Sequence, residues 1–337
     1  MPSFTSSFDR APNTARLREV AMAALLAALM LTGIEAWLRL MGGQTSFPLS
    51  TDRWVANLEE ALSHDDPHTT VLLGASRIRS SFDSATFFGR FPDRPLFYLA
   101  TSGESPLALI TFLAEKTTFS GNVIVALSAP SLEAGQEHTQ RFIVERFTKE
   151  WNLDKRLNHR IGDLVTGSLV VRQEYYSLAN LSKSLADDDL PMVPYWRRHG
   201  ANGESSYDFS RVPNPLQGAQ RPLTQALVVD KEAWERNLDG LLRDVRTLHR
   251  RGATVALVRF PTSSVLRANE RLTWPRTDYW DRMAKAEGAI ALHFEDYESL
   301  RRFELPDMSH VDRVEKPRFT SALLDLLESN GMTWRAD

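Results

Sequence analysis

Short apolar runs set apart by helical patterns constrain this chain more than any other feature. "TVLLGAS" reads as a strand that closes on a small-residue turn at Ser76. "LFYLATSG" (96–103), "NVIVALSAP" (122–130), "ATVALVRFP" (253–261) and "AIALHF" (289–294) repeat the form. Helical spacing fills the intervals at 105–116, 231–252, 278–288 and 315–331. In 231–252, Trp234, Leu238, Leu241, Leu242, Val245 and Leu248 share one face, and Gly252 is a natural stop. Strands that alternate with helices predict an α/β fold: a doubly wound, parallel five-stranded sheet with helices on both faces. In such sheets ligands bind beyond the C-terminal ends of the strands. Four of the runs end there in Ser76, Ser102-Gly103, Ser128 and Arg259.

The N-terminus adds a second constraint. Residues 20–34 are apolar apart from Thr32, and the run continues through "EAWLRLM" to Met41. A helix over 20–41 is about 33 Å long, enough to cross a bilayer core. Glu35 and Arg39 stand one turn apart, in position to pair near the interface, with Trp37 as an aromatic anchor. Arg10, Arg16 and Arg18 precede the run. By the positive-inside rule, residues 1–19 stay in the cytoplasm and the rest lies on the extracytoplasmic side of an inner or plasma membrane. The main rival reading is a cleavable signal peptide, although no small-x-small cleavage site is obvious after the run, and a buried helix of a soluble fold is the other. Residues 42–68 read as a juxtamembrane linker and 69–330 as the α/β domain. The interval 131–228, rich in charge and turn formers, reads as an insertion with helices near 138–150 and 165–186 and then a long loop. Such loops are usually lids or mobile segments.

Composition excludes several classes. The chain has no cysteine, so disulfides, zinc fingers and a thiol nucleophile are ruled out. A net charge of -3, with no basic stripe, argues against nucleic acid. His64 and His68 in "HDDPH" read as a solvated turn, and no metal or cofactor is expected.

The chemistry converges elsewhere. Near the C-terminus, "ELPDMSHVDRVEK" places Asp307 and His310 three residues apart, so that one short turn presents both. A serine hydroxyl is a weak nucleophile near neutral pH. An imidazole must take its proton, and a carboxylate must orient the imidazole and stabilise its cation. Ser76 after the first strand and Asp307-x-x-His310 after the last would meet above the sheet. The alternatives are a helix N-cap for Ser76, a surface position for His310, and Asp312 in place of Asp307 as the acid.

Gly74-Ala75-Ser76, Ser102-Gly103-Glu104 and Asp307-x-x-His310, in this order and at these places, resemble the SGNH/GDSL hydrolase superfamily. The resemblance covers about 69–130 and 229–330. It implies that Ser76 is the nucleophile, Gly103 the oxyanion glycine, Asp307 the orienting acid and His310 the base. Two blocks depart from the pattern. Gly-Ala-Ser stands for Gly-Asp-Ser, and "ALSAPS" lacks the oxyanion asparagine, with Ser128 or Ser131 nearest its place. The expected oxyanion donors are therefore the Ser76 and Gly103 N–H groups with the Ser128 hydroxyl. One of Arg77 and Arg79, which follow Ser76, and Arg259 at the end of the fourth strand are candidates for binding an acidic substrate group, or else structural ion pairs. More narrowly, anchor plus domain resembles membrane-anchored bacterial SGNH-like proteins, some of which work beside membrane-bound O-acyltransferases on envelope or exported polysaccharide. Ester chemistry on an acylated glycan or small acyl ester is the implied activity.

Overall fold

The computed structural model describes residues 14–64, 66–133, 138–188, 192–216 and 230–334. Its strands are β1 (Thr70–Leu73), β2 (Leu96–Tyr98), β3 (Asn122–Ala126), β4 (Arg197–His199), β5 (Ser205–Tyr207), β6 (Thr254–Arg259) and β7 (Ala289–His293). Five of them form one parallel sheet in the order β2-β1-β3-β6-β7. Register aligns Val71 with Phe97 and Val123, Ile124 with Ala256, and Leu257 with Ala291. The expected doubly wound α/β fold is borne out.

Strand period 2 sends alternate residues to opposite faces. Val71, Leu73, Val123, Val125, Val255 and Leu257 build one core. Leu72, Tyr98, Ile124, Ala126, Ala256 and Val258 build the other. The helices are α1 (Thr14–Leu40), α2 (Thr51–Ser63), α3 (Ser76–Ser81), α4 (Ser84–Arg90), α5 (Leu107–Lys116), α6 (His138–Lys149), α7 (Leu153–Ser168), α8 (Leu178–Ala186), α9 (Lys231–Arg250), α10 (Ser264–Thr273) and α11 (Lys316–Ser329). The first core takes α2, α5 and α9, the second α3, α4 and α11. α9 buries Trp234, Leu238, Leu241, Val245 and Leu248, the stripe read from its spacing.

Three expectations are corrected. Residues 42–68 are not a linker throughout: α2 is capped by Ser50 and buries Trp54, Val55, Leu58 and Ala61 in the first core. Its apolar residues recur every three or four positions, but the Gly, Pro and Ser residues just before it suggested a loop. The pattern at 278–288 yields a helix only over Trp280–Met283, then tight i→i+3 turns at Lys285 and Ala286. Residues 165–186 are not one helix: α7 ends at Ser168, two short 3-10 turns follow, and Ser177 caps α8.

The chain divides into two compact units. The smaller comprises residues 1–45 and 168–195. In it α1 is long and apolar enough to cross a membrane, and its side chains are largely exposed. Glu35 and Arg39 pair as expected, at 2.7 Å, and the Glu35 carboxylate also accepts from the Val170 and Val171 N–H groups. Leu38 packs with Val170 and Tyr176. The larger unit, 46–167 and 196–337, holds the sheet. The proposed insertion is thus shared: 168–195 joins α1, while its other described residues join the sheet.

Candidate active site

The sheet's strand order reverses between β1 and β3, which lead away in opposite directions. A crevice at such a switch point is where doubly wound sheets place their ligands. β1 runs out at Leu73, and Gly74 then takes φ +124, a conformation that side-chain-bearing residues rarely adopt. A Cβ there would also lie 2.6 Å from the Ala126 carbonyl oxygen of β3. Glycine alone lets the chain turn this tightly against β3 and open α3. Ala75 is the N-cap and Ser76 the first helical residue, so Ser76 is not the cap that the plainer reading made it. Its N–H belongs to the first turn, where no intrahelical acceptor exists.

His310 reaches Ser76 from the other end of the chain. Its Nε2 lies 2.8 Å from Ser76 Oγ, and its Nδ1 lies 2.6 Å from Asp307 Oδ2. Asp307 Oδ1 accepts from the Ser309 and His310 backbone N–H groups, which fixes the turn that presents both side chains. Burial pushes the Asp307 carboxyl up, but the His310 ring and these N–H groups more than offset it and hold it below the usual range. Asp312, the rival acid, instead accepts from the Phe209 and Val314 N–H groups.

A cavity of about 320 Å³ opens beside this chain, lined among others by Ser76, Gly103, Ser128, Leu127, Pro130 and Leu266. Gly103 has φ +70 and open space where a Cβ would stand. Ser128 and Ser131, both on the cavity, lie 3.0 Å apart at Oγ, and Ser131 Oγ accepts from the Ser128 N–H. One hydroxyl proton is spent between them, and the other is left for the cavity. Arg77 and Arg259 line the same cavity but share Glu270, at 3.2 and 2.5 Å. Burial pushes the Arg259 guanidinium down to about 10, and Glu270 opposes that shift. An acidic substrate group would therefore compete with Glu270, which α10 brings in.

Glu270, Glu104 and Tyr207 have places at the site but no role in the sequence reading, and Arg79, expected with Arg77 as a candidate for an acidic substrate group, is engaged elsewhere. Glu104, beside Gly103, accepts from the Thr139 N–H (2.8 Å) and caps the start of α6. Tyr207 lies edge-on to the His310 ring at 5.1 Å, carried there by the β4–β5 hairpin. Arg79 is buried on α3 and donates to hydroxyls rather than to a carboxylate: Nε to Ser205 (2.8 Å) and Nη2 to Ser102 (2.5 Å). Burial holds its pKa below the usual arginine value. Arg79 thus ties the helix that Ser76 opens to the loop before Gly103 and to the hairpin. The hairpin had one legible signal, Asn202-Gly203 at its turn, but its strands are too polar to read as strands.

No protein-family model matches the chain, and no curated protein does. Among solved structures, TesA is similar at 12% identity and TM-score 0.34, over 78% of this chain and 99% of its own. A protein described as a platelet activating factor from Streptococcus pneumonia is similar at 9% identity and TM-score 0.37, over 91% and 99%. Likenesses at these levels carry no function, so the reading below rests on the site's own geometry.

Proposed function

We propose that this protein is a membrane-anchored serine esterase or O-acyltransferase of the SGNH type, acting on acyl esters of envelope or exported glycan. The observation that carries this reading is the unbroken hydrogen-bonded path Ser76–His310–Asp307 at the mouth of a concave cavity. Ser76 Oγ attacks the acyl carbonyl while His310 Nε2 takes its proton. Asp307 holds Nδ1–H and stabilises the imidazolium. The oxyanion meets the Ser76 and Gly103 N–H groups and the hydroxyl proton left by the Ser128–Ser131 pair. His310 then protonates the departing alcohol, and acyl-Ser76 remains. Water arriving on the same His310 gives hydrolysis; a sugar hydroxyl gives transfer.

α1 supports anchoring, and Arg16 and Arg18 in its first turns, with Arg10 earlier in the sequence, support an extracytoplasmic site. An anchored site favours a glycan of the envelope over a diffusible metabolite, with a membrane-bound O-acyltransferase as a fitting partner. A second reading has one observation in its favour. The Ser128–Ser131 pair stands where the family has a carboxamide, as in a silent glycan-binding accessory of such an acyltransferase. Labelling of the detergent-solubilised full chain with a fluorophosphonate probe separates the two. Labelling lost in both Ser76→Ala and His310→Ala supports an activated serine. An unlabelled, folded wild type sinks the enzyme reading and leaves the accessory.

A further inference from the structure

α7 is built inside out. Leu153, Leu157, Ile161 and Val165 recur every fourth residue and so share one face of the helix. On α9 the corresponding stripe is buried, as the hydrophobic effect demands. On α7 it faces outward: Leu153 is 65% exposed, Leu157 48%, Ile161 60% and Val165 40%. The helix packs through its polar side instead. Asp163 receives both arms of the buried Arg53 guanidinium, at 2.6 and 3.0 Å. His159 lies beside Asp163, Thr166 is buried, and Gly167 lies so close to Phe47 that a Cβ would approach its ring to 2.9 Å. The buried ion pair gives the helix a fixed rotation. The outward stripe is therefore a set feature of the packing.

What covers the stripe is indicated by its borders and by where the helix ends. Arg160 is exposed along one border, with Arg156 beside it, exposed too although its guanidinium also pairs with Glu59. An apolar face edged with guanidinium groups fits the boundary between acyl chains and anionic headgroups. Asp154, the acid nearest this face, stands in the first turn, where the helix dipole favours it. At 16 residues the helix is roughly 24 Å long, too short to span a bilayer and long enough to lie in its surface. Its last residue, Ser168, belongs to the smaller unit, where its carbonyl accepts from Arg39 in the last turn of α1 at 2.8 Å.

We propose that α7 lies in the membrane interface with Leu153, Leu157, Ile161 and Val165 among the acyl chains, a second membrane contact besides α1. The inference rests on reading α1 as a membrane anchor. The test keeps the two apart and exploits the lack of any native cysteine. Single substitutions Met30→Cys, Leu157→Cys, Ile161→Cys and Arg156→Cys are spin-labelled in the full chain. Each is reconstituted into nanodiscs of phosphatidylethanolamine and phosphatidylglycerol, and its collision rates with oxygen and with a water-soluble nickel chelate are compared. All four side chains are exposed, so none of the substitutions disturbs the core.

The expected result is an oxygen-to-nickel ratio several-fold higher at 157 and 161 than at 156, with 30 higher still. A lipid signal at 30 with a water signal at 157 and 161 overturns the α7 contact and leaves the anchor standing. Low access of both reagents at 157 and 161 also overturns it, in favour of a protein occupant, whether a second copy or another part of this chain. A water signal at 30 overturns the anchor and the α7 contact together.

Discussion

The two sides of the site are made differently. Ser76 follows β1 almost directly, Asp307 and His310 stand on the turn that precedes α11, and the three form one hydrogen-bonded path. The opposite side is held by residues that follow β3. Glu104 is bound into the start of α6, Ser128 is paired with Ser131, and the β4–β5 hairpin sets Tyr207 against the back of His310. One side carries the candidate triad on two short turns held by their own backbone hydrogen bonds. The other supplies orientation through side chains of a long intervening segment. The difference teaches where substitutions should destroy chemistry and where they should only loosen it.

The sharpest way to break this comparison is to remove the groups of the candidate triad. Ser76→Ala and His310→Ala should each cost about 10⁶ in kcat for a small acetyl ester, and the double variant no more than either alone. Additive losses would show that the two do not act as one unit. Asp307→Asn keeps the shape but loses the carboxylate that fixes the tautomer, and should cost about 10⁴. On the other side the effects shrink. Ser128→Ala removes one oxyanion donor and should cost about 10²- to 10³-fold in kcat with KM little changed. A loss as large as that of Ser76→Ala would place Ser128 among the bond-making atoms. Tyr207→Leu forfeits an edge-on ring contact of about 1 kcal/mol, so kcat should fall about fivefold.

The smallest effect is on stability against acid. Burial, with Arg79, Arg197 and Arg53 nearby, pushes His199 of the hairpin down to about 3. His293 of β7 is pushed down to about 4 by burial and by Arg276 and Arg259. An unfolded histidine takes its proton near 6.5. Between these values the unfolded chain binds more protons, so Tm should fall as pH drops from about 6.5 toward 4. His199→Gln should flatten part of that slope and leave the part due to His293. An unchanged slope would mean that the hairpin is not held by a neutral His199.

The sheet was legible because its physics is local and periodic. Val71–Leu73 or Val255–Leu257 is apolar at every position, which only a strand covered on both faces tolerates. The candidate triad was legible because Gly74-Ala75-Ser76 and Asp307-x-x-His310 each encode a turn in a few adjacent residues. α2 was missed because a loop-like prelude outweighed its spacing. Glu270 and Tyr207 were not legible, nor were the partners of Arg79. Each takes its role from a partner far away in sequence: Arg77 lies 193 positions from Glu270, and Ser205 lies 126 positions from Arg79. The inverted α7 was hidden for the opposite reason. Its pattern was readable, but pattern alone cannot say which face turns inward.

Ser76 and His310 stand 234 residues apart. That separation is also a delay. At about 5–20 residues per second, the ribosome needs on the order of 10–50 s to go from one to the other. Through all of it the serine is an ordinary alcohol, incapable of attacking any ester it meets. On the proposed mechanism reactivity arrives only when the turn that carries Asp307 and His310 has folded against Ser76, so that a product stopping short of His310 is inert.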